Sequence, residues 1–247
     1  MLEHQRISMN NMELQEILNW IKSQADPVAV KGMARFGISS KEIYGVSIKK
    51  IRPFAKVVGK KHSLALELWQ TEIHEARLLA SMIDEPSKVT LTQMGDWVKD
   101  FNSWDICDQC CSNLFDKTKF AYKKAVEWSR RKEEFVKRAG FVLMAVLSVH
   151  DKKADDSVFE KFLPVILRES TDERNFVKKA VNWALRQIGK RNLYLNGKAL
   201  QTAEEILALD SKAAKWIAGD AIKELTEGKM IYRLRAKEKI NIKQKMT

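Results

Sequence analysis

The chain has 247 residues, of which 45% are hydrophobic and 31% charged, a globular composition that excludes a disordered chain. Its 44 lysines and arginines outnumber 32 acidic residues, and the formal net charge of +12 favours a polyanionic partner. No apolar run is long enough to span a membrane, and residues 1–14 lack the apolar core of a signal peptide, so we expect a cytoplasmic protein without a membrane partner.

Apolar residues recur at helical spacing along the whole chain, whereas alternating β-branched runs are missing and only 10 glycines and 4 prolines are available for turns. The first half is predicted to form helices over residues 12–24, 28–33, 48–58, 64–69, 72–83 and 92–100, and another through 101–115. The second half is predicted to form helices over residues 120–130, 134–150, 157–168, 174–190, 199–209 and 212–225. This series of short helices predicts an all-α fold, an α-solenoid of HEAT-like helical repeats.

An internal repeat supports this fold. Residues 134–139 (EFVKRA) and 175–180 (NFVKKA) align at an offset of 41 residues, within the period of about 40 to 47 residues of HEAT and armadillo repeats. Chance similarity between two amphipathic helices is the alternative. The repeat places a basic pair at equivalent positions of both helices, Lys137-Arg138 and Lys178-Lys179. We therefore expect a concave basic groove.

The end of the chain differs from the helical series. Residues 229–247 contain seven basic residues against one glutamate and no apolar face long enough to pack. We predict a single domain over residues 1–228 and a solvated basic C-terminal extension over residues 229–247, which either touches nucleic acid or is disordered. Because the terminal helices of the domain are polar, we expect a monomer.

The three cysteines, Cys107, Cys110 and Cys111, fall within one run of five residues and cannot form a disulfide framework. The C-x-x-C spacing allows zinc or redox chemistry, but no second cysteine pair follows and the histidines are scattered. We predict no metal and no cofactor, and we expect the cysteines to be buried as small hydrophobic residues in a reducing compartment.

The stretch over residues 101–115 carries the candidate chemistry. On a helix, Trp104 and Asp108 are four residues apart and share one face. A carboxylate beside an indole is either an ordinary helix rim, with Asp108 capping or paired to a lysine, or a site that needs a negative charge against an aromatic wall. Asp105, the next residue after Trp104, is expected to orient backbone or a neighbouring side chain.

A groove that binds a phosphodiester backbone needs cations, and the repeats after residue 115 supply them. A carboxylate among these cations opposes phosphate binding unless a positive charge forms beside it. Cleavage of an N-glycosidic bond creates such a charge on the sugar, and an alkylated purine, already cationic, leaves without a second acid. Aromatic faces attract the cation, and Trp183 is the candidate second wall. The cations expected to hold phosphates are Arg138, Lys178, Lys179, Arg186 and Lys190.

Three segments, SWDICD at residues 103–108, FVKRA at 135–139 and FVKKAVNWALR at 176–186, resemble the AlkD-type DNA alkylation repair family of HEAT-like repeat DNA glycosylases. Residues 33–37 and 44–48 also resemble it, so the similarity spans residues 12–225. The resemblance implies a monofunctional, metal-free glycosylase of base excision repair. Its implied partner is double-stranded DNA with alkylated bases, and it would excise cationic purines such as 3-methyladenine and 7-methylguanine.

The resemblance also implies individual roles. It makes Asp108 the catalytic carboxylate, Trp104 and Trp183 the sugar-facing tryptophans, Arg138 the phosphate-binding arginine and Phe36 a DNA-contacting aromatic residue. Phe36 replaces a tyrosine of the family, and Ser103 stands where some members have a second tryptophan. The five other tryptophans are predicted to be core residues, namely Trp20, Trp69, Trp97, Trp128 and Trp216.

Two other functions are open. A non-catalytic HEAT-repeat protein that binds damaged or branched DNA would keep the basic groove and lose the chemistry. A protein-interaction scaffold would have an acidic or apolar concave face.

Overall fold

The computed structural model describes residues 13–38 and 40–245; residues 1–12, Ser39 and residues 246–247 of the predicted domain and extension lie outside the described part. The described residues are helical, with no strand among them beyond an isolated parallel bridge between Glu42 and Ile73. The prediction of an all-α fold is confirmed. In this part of the chain, no helix is long and apolar enough to cross a bilayer.

The helices form two compact units, Met1–Lys119 and Phe120–Thr247. The first unit contains α1 (Leu14–Ser23), α2 (Pro27–Arg35), α3 (Ile48–Val58), α4 (His62–Gln70), α5 (His74–Ile83), α6 (Leu91–Lys99), α7 (Trp104–Asn113) and a 3-10 turn (Phe115–Lys117). The second contains α8 (Ala121–Ser129), α9 (Glu134–His150), α10 (Asp156–Glu160), α11 (Leu163–Glu169), α12 (Asn175–Gly189), α13 (Leu193–Leu207), α14 (Lys212–Leu225) and α15 (Gly228–Lys245).

Helix α5 is the centre of the first unit, where it contacts α1, α3, α4 and α7. Every residue of α5 except Met82 is buried, including the polar His74, Glu75 and Arg77. Such buried polar groups need partners, because an unpaired one costs about 1–3 kcal/mol. The Arg77 guanidinium therefore donates to the backbone carbonyls of Trp69 and Asp100. The polar groups of α5 thus fix the elements around it.

The buried carboxylate of Glu75 holds the segment that leads into α3. It accepts hydrogen bonds from the backbone N–H groups of Tyr44, Gly45 and Val46 at 3.1, 2.6 and 3.1 Å. Gly45 has a φ of 79°, and a Cβ atom there would lie 2.4 Å from the carbonyl oxygen of Asp26. Only glycine tolerates both the positive φ and this close approach of a backbone oxygen, so this segment can run close against α2.

In the second unit the repeated hexapeptide opens α9 and α12, which pack against each other. The two phenylalanines of the repeat, Phe135 and Phe176, have ring centroids 5.5 Å apart, and the valines that follow, Val136 and Val177, are both buried. The sequence repeat is therefore also a structural repeat, and its two copies are neighbouring helices.

Two predicted helices of the second unit have wrong bounds. The helix predicted over 199–209 begins at Leu193, because the Asn192 side chain caps it by accepting the backbone N–H of Leu195. The helix predicted over 157–168 is divided into α10 and α11, with a proline in the first turn of α11. Proline fits a first turn because its missing N–H has no helical partner there.

The C-terminal extension is helical over Gly228–Lys245, so the expectation of an extension that packs against nothing is wrong. Helix α15 contacts α13 and α14, and Leu234 on it is only 1% exposed. A short contact that buries Leu234 was enough to seat a helix whose composition suggested a solvated segment.

Candidate functional site

Helix α7 carries Trp104 as its first residue and Asp108 one turn later. Their side chains share one face, and both residues are half-buried. The Trp104 indole Nε1–H donates to the backbone carbonyl of Phe36 at 3.0 Å, and Phe36 itself is 70% exposed at the end of α2. The structure thus brings Phe36 next to Trp104. Trp104 and Asp108 are both on α7, whereas Phe36 lies at the end of α2.

The start of α7 is clamped by the buried carboxylate of Asp105. One oxygen accepts hydrogen bonds from the Ser103 hydroxyl at 2.7 Å and the Ile106 backbone N–H at 3.0 Å. The other lies 2.8 Å from Nε2 of His74, a fully buried residue on α5. As expected, Asp105 orients backbone and neighbouring side chains. We call these contacts of Ser103, Asp105 and His74 the α7 clamp.

The pKa of the Asp105 carboxylate is low despite its burial. Burial by itself raises the pKa of Asp105, but the hydrogen bond and charge of His74, together with the hydrogen bonds from Ser103 and Ile106, lower it below the ordinary value. Asp105 is therefore ionised at neutral pH. Its charge also sits in the first turn of α7, where the helix dipole favours a negative group.

The three cysteines of α7 face the core. Cys107, Cys110 and Cys111 are all 0% exposed, so their predicted burial is confirmed. Burial raises the pKa of the Cys110 and Cys111 thiols well above the ordinary range, and the thiols stay protonated. Among the described residues, no group of three or more His, Cys, Asp or Glu side chains could hold a metal ion.

Trp183 lies on α12 in the second unit and is half-buried. The indole Nε1–H of Trp183 donates to the side-chain oxygen of Gln187 at 2.9 Å. This is the orientation of the Gln187 amide that gives both groups a hydrogen-bond partner. Lys179, four residues before Trp183, shares its helix face and is exposed. An exposed ammonium thus lies on the same face as a fixed indole ring.

Arg138 on α9 is only 6% exposed. Its Nη1 donates to the backbone carbonyl of Phe176, in the first turn of α12, at 2.6 Å. The guanidinium therefore joins the two repeated helices. Phosphate binding by Arg138 stays a prediction.

Three of the predicted phosphate ligands on α12 point toward α14, namely Lys178, Arg186 and Lys190. Burial alone raises the pKa of Glu224, but its hydrogen bonds to Lys190 and Arg186 lower it, so the group is a carboxylate bound to two cations. These paired cations attract a polyanion less than solvated ones. The contacts across α12 and α14 are Lys178 with the Trp216 ring at 5.3 Å, Asn182 with Asp220 at 2.9 Å, Arg186 with Asp220 and Glu224, and Lys190 with Glu224 at 2.8 Å.

The tryptophans predicted to be core residues behave differently from one another. Trp69, Trp97 and Trp128 are buried, as predicted. Trp20 is half-buried and stacks on a phenylalanine of α3. For Trp216 the prediction is wrong, because 42% of this residue is exposed and the ring supports the ammonium of a lysine on α12.

Comparison with known proteins first defines the class of fold. A solved structure described as "A new family of proteins related to the HEAT-like repeat DNA glycosylases with affinity for branched DNA structures" superposes with a TM-score of 0.72. The identity is 20%, and the match covers 89% of this chain and 97% of that chain. The protein therefore has a HEAT-like helical repeat fold, as the sequence predicts.

The family follows from the sequence itself. The model of the family described as "DNA alkylation repair enzyme" matches residues 17–225, and this chain belongs to that family. No curated protein sequence gives a significant match to the chain. Helix α15 lies beyond the matched residues.

The side chains that hold these candidate residues in place were not predicted from the sequence. His74 lies 31 residues before Asp105, and the α14 carboxylates lie 34 to 38 residues after their partners on α12. The sequence repeat provided no signal for the α14 partners. Its offset of 41 residues leads from Asn182 and Arg186 to Lys223 and Glu227 instead of Asp220 and Glu224.

Proposed function

We propose that this protein is a DNA glycosylase that hydrolyses the N-glycosidic bond of cationic alkylated purines in duplex DNA. The observation that carries the proposal is the pair of Trp104 and Asp108 on one face of α7, whose first turn the α7 clamp holds to the central helix of the unit. A catalytic group is effective when its support is rigid before substrate binds. Membership in the DNA alkylation repair enzyme family supports the proposal.

The chemistry requires one carboxylate. As the bond between C1′ of the sugar and the purine nitrogen breaks, its electron pair leaves with the purine and neutralises the positive charge of the alkylated ring. The sugar becomes an oxocarbenium-like cation, which Asp108 stabilises electrostatically. Water then adds to C1′ and releases a proton, leaving an abasic site. No acid is needed to protonate the leaving base, because the base departs neutral.

The aromatic and basic residues have separate roles in this proposal. Trp104 presents a ring face whose negative quadrupole attracts the cationic nucleotide, and the family resemblance gives Trp183 the same role in this proposal. Phe36, exposed beside Trp104, provides an additional apolar surface for DNA. Lys179 is the phosphate contact on the Trp183 face, because it is exposed and no carboxylate pairs with it among the described residues.

The proposal is tested by measuring free base release from duplex DNA that contains a single 7-methylguanine. Wild-type protein is expected to release the base faster than the spontaneous loss in a sample without protein. An undamaged duplex of the same sequence is the control, and it should lose no base. Release at the spontaneous rate, in a sample in which the duplex is fully bound, would exclude the glycosylase.

Binding of branched DNA without base release is the second candidate function. The solved structure that superposes on this chain belongs to proteins described as having affinity for branched DNA. A four-way junction and a linear duplex of equal length separate the two functions. Preference for the junction together with no base release favours this candidate, whereas base release from the methylated duplex favours the glycosylase.

A further inference from the structure

A basic pocket lies in the first unit, apart from the residues discussed above. It has a volume of about 510 Å³ and is bounded by α3, the end of α5 and the end of α7. Four of the described residues that line it are cationic, Arg52, Lys56, Lys60 and Lys117, and none of them is acidic. All four cations are exposed.

Backbone carbonyls hold two of these cations in place. The Lys60 ammonium donates to the carbonyls of Met82 and Asp84 at 2.9 and 2.7 Å, and the Lys117 ammonium donates to the carbonyl of Asn113 at 2.5 Å. Lysines commonly cap helix C-termini in this way. Capping removes none of the positive charge, since a carbonyl is a neutral acceptor.

Arg52 is held by neutral groups as well. Its guanidinium donates to the side-chain oxygens of Gln109 at 2.8 Å and Asn113 at 3.4 Å, both on α7. Lys56 has no bonding partner within the described part of the chain. Helix α3 contributes Lys49 and Lys50 as further cations and contains no acidic residue. Among the residues that the structure describes, no direct ion pair therefore compensates the charge of this surface.

The titration of Lys60 agrees with this geometry. The Lys60 residue is exposed, but its ammonium is partly buried where it binds the carbonyl of Asp84. This partial burial lowers its pKa, and the neighbouring charge of Lys117 lowers it further. Asp84 and Glu85 act in the opposite direction. The Asp84 carboxylate is, however, already bonded to the His62 ring and to the side-chain amide of Gln93, at 2.6 Å each. An anion in the pocket would offset the repulsion between the two ammonium groups.

We propose that this pocket binds a phosphate of the DNA backbone. The choice of DNA as the source of the phosphate rests on the proposed function, whereas phosphate binding does not. On α7, Asn113 at the pocket lies five residues after Asp108, a rotation of about 140° around the helix axis, so the pocket and Asp108 lie on different faces of α7.

The test uses an undamaged 20-base-pair duplex with a fluorescent label, and measures its affinity by anisotropy between 50 and 200 mM salt. We expect the double variant Arg52→Gln/Lys56→Ala to bind at least tenfold more weakly than wild type. Its slope of log affinity against log salt should be flatter by about 0.9, the change that accompanies the loss of one phosphate contact. The single variant Arg52→Lys keeps the positive charge, so it should retain most of the wild-type slope of log affinity against log salt.

The matched control is Lys41→Ala/Lys99→Ala, which removes two exposed lysines of the same unit outside the pocket. The proposal is overturned if the pocket variant has the same affinity and salt slope as this control, with circular dichroism showing that the variant is folded. The outcome is independent of catalysis. Loss of binding by the pocket variant supports the pocket even when wild type releases no methylated base, and a functional glycosylase with an unaffected pocket variant refutes it.

Discussion

The α7 clamp makes a quantitative prediction about stability. Replacing Asp105 by alanine removes the acceptor of three hydrogen bonds, those from the Ser103 hydroxyl, the Ile106 N–H and Nε2 of His74. His74 is fully buried, and its other ring nitrogen already has no partner among the described residues. Water cannot replace the lost contact without opening the space between α5 and α7.

The magnitude follows from these contacts. A buried polar group that loses its partner costs about 1–3 kcal/mol, and Asp105→Ala leaves two such groups, the His74 ring and the Ser103 hydroxyl, without this carboxylate. We therefore expect Asp105→Ala to lower the free energy of unfolding by about 3–5 kcal/mol. Asp105→Asn keeps an acceptor oxygen and part of the shape, and we expect it to cost about 2 kcal/mol, the loss of one charge-assisted hydrogen bond.

Urea unfolding at pH 7, followed by tryptophan fluorescence, measures these differences. Asp96→Ala is the control, since that carboxylate is 63% exposed and its removal should change stability by less than about 0.5 kcal/mol. Equal stability of Asp105→Ala and Asp96→Ala would refute the clamp.

The pH dependence gives a second readout of the same group. Folding lowers the pKa of Asp105, so its stabilising effect is complete above the ordinary aspartate pKa of about 3.9 and is lost as pH falls through the lower folded value. The difference in stability between wild type and Asp105→Ala should therefore be largest near neutral pH and shrink below about pH 4. A difference that grows on acidification would contradict this assignment.

Three further predictions concern DNA binding and the backbone. Arg138→Ala should weaken binding to duplex DNA and flatten its salt dependence by about 0.9 in slope, and an unchanged slope measured by anisotropy would remove Arg138 from the interface. Glu224→Gln frees Arg186 and Lys190 from their shared carboxylate and should tighten DNA binding about threefold at low salt, whereas unchanged affinity would place both cations outside the interface. Gly45→Ala should destabilise the protein by more than about 1 kcal/mol in urea unfolding, since its φ is positive and a Cβ would meet a backbone oxygen, and a stable variant would show that this segment can shift.

The helices were predictable because local rules decide them. The period of apolar residues located α9 and α12 to within one residue at either end, and the repeated hexapeptide identified them as equivalent. The start of α13 was missed because a single cap, Asn192, begins the helix six residues early, in a stretch where the buried Asn196 and the following glycine interrupt the apolar pattern. The helicity of α15 was missed because it depends on packing against α13 and α14, which sequence composition does not reveal.

The candidate site was predictable only in part. Four-residue spacing was enough to place Trp104 and Asp108 on one helix face. The contact between His74 and Asp105 was not, because it joins two helices and depends on their packing. Treating every basic residue as solvated also overstated the charge available on α12, where Arg186 and Lys190 have a carboxylate partner on α14. Local sequence patterns identify the candidate side chains, whereas the tertiary fold determines which groups these side chains contact.

The measurement that tests the central claim most directly is the single-turnover rate of 7-methylguanine release by Asp108→Asn, with the duplex saturated by protein. Removing a preorganised electrostatic group typically costs about 100-fold or more in rate, so we expect a loss of at least about 100-fold while DNA affinity is retained. The exposed Asp96→Asn variant should release base at the wild-type rate. Release by Asp108→Asn at the rate of wild type would show that this carboxylate does not carry the reaction.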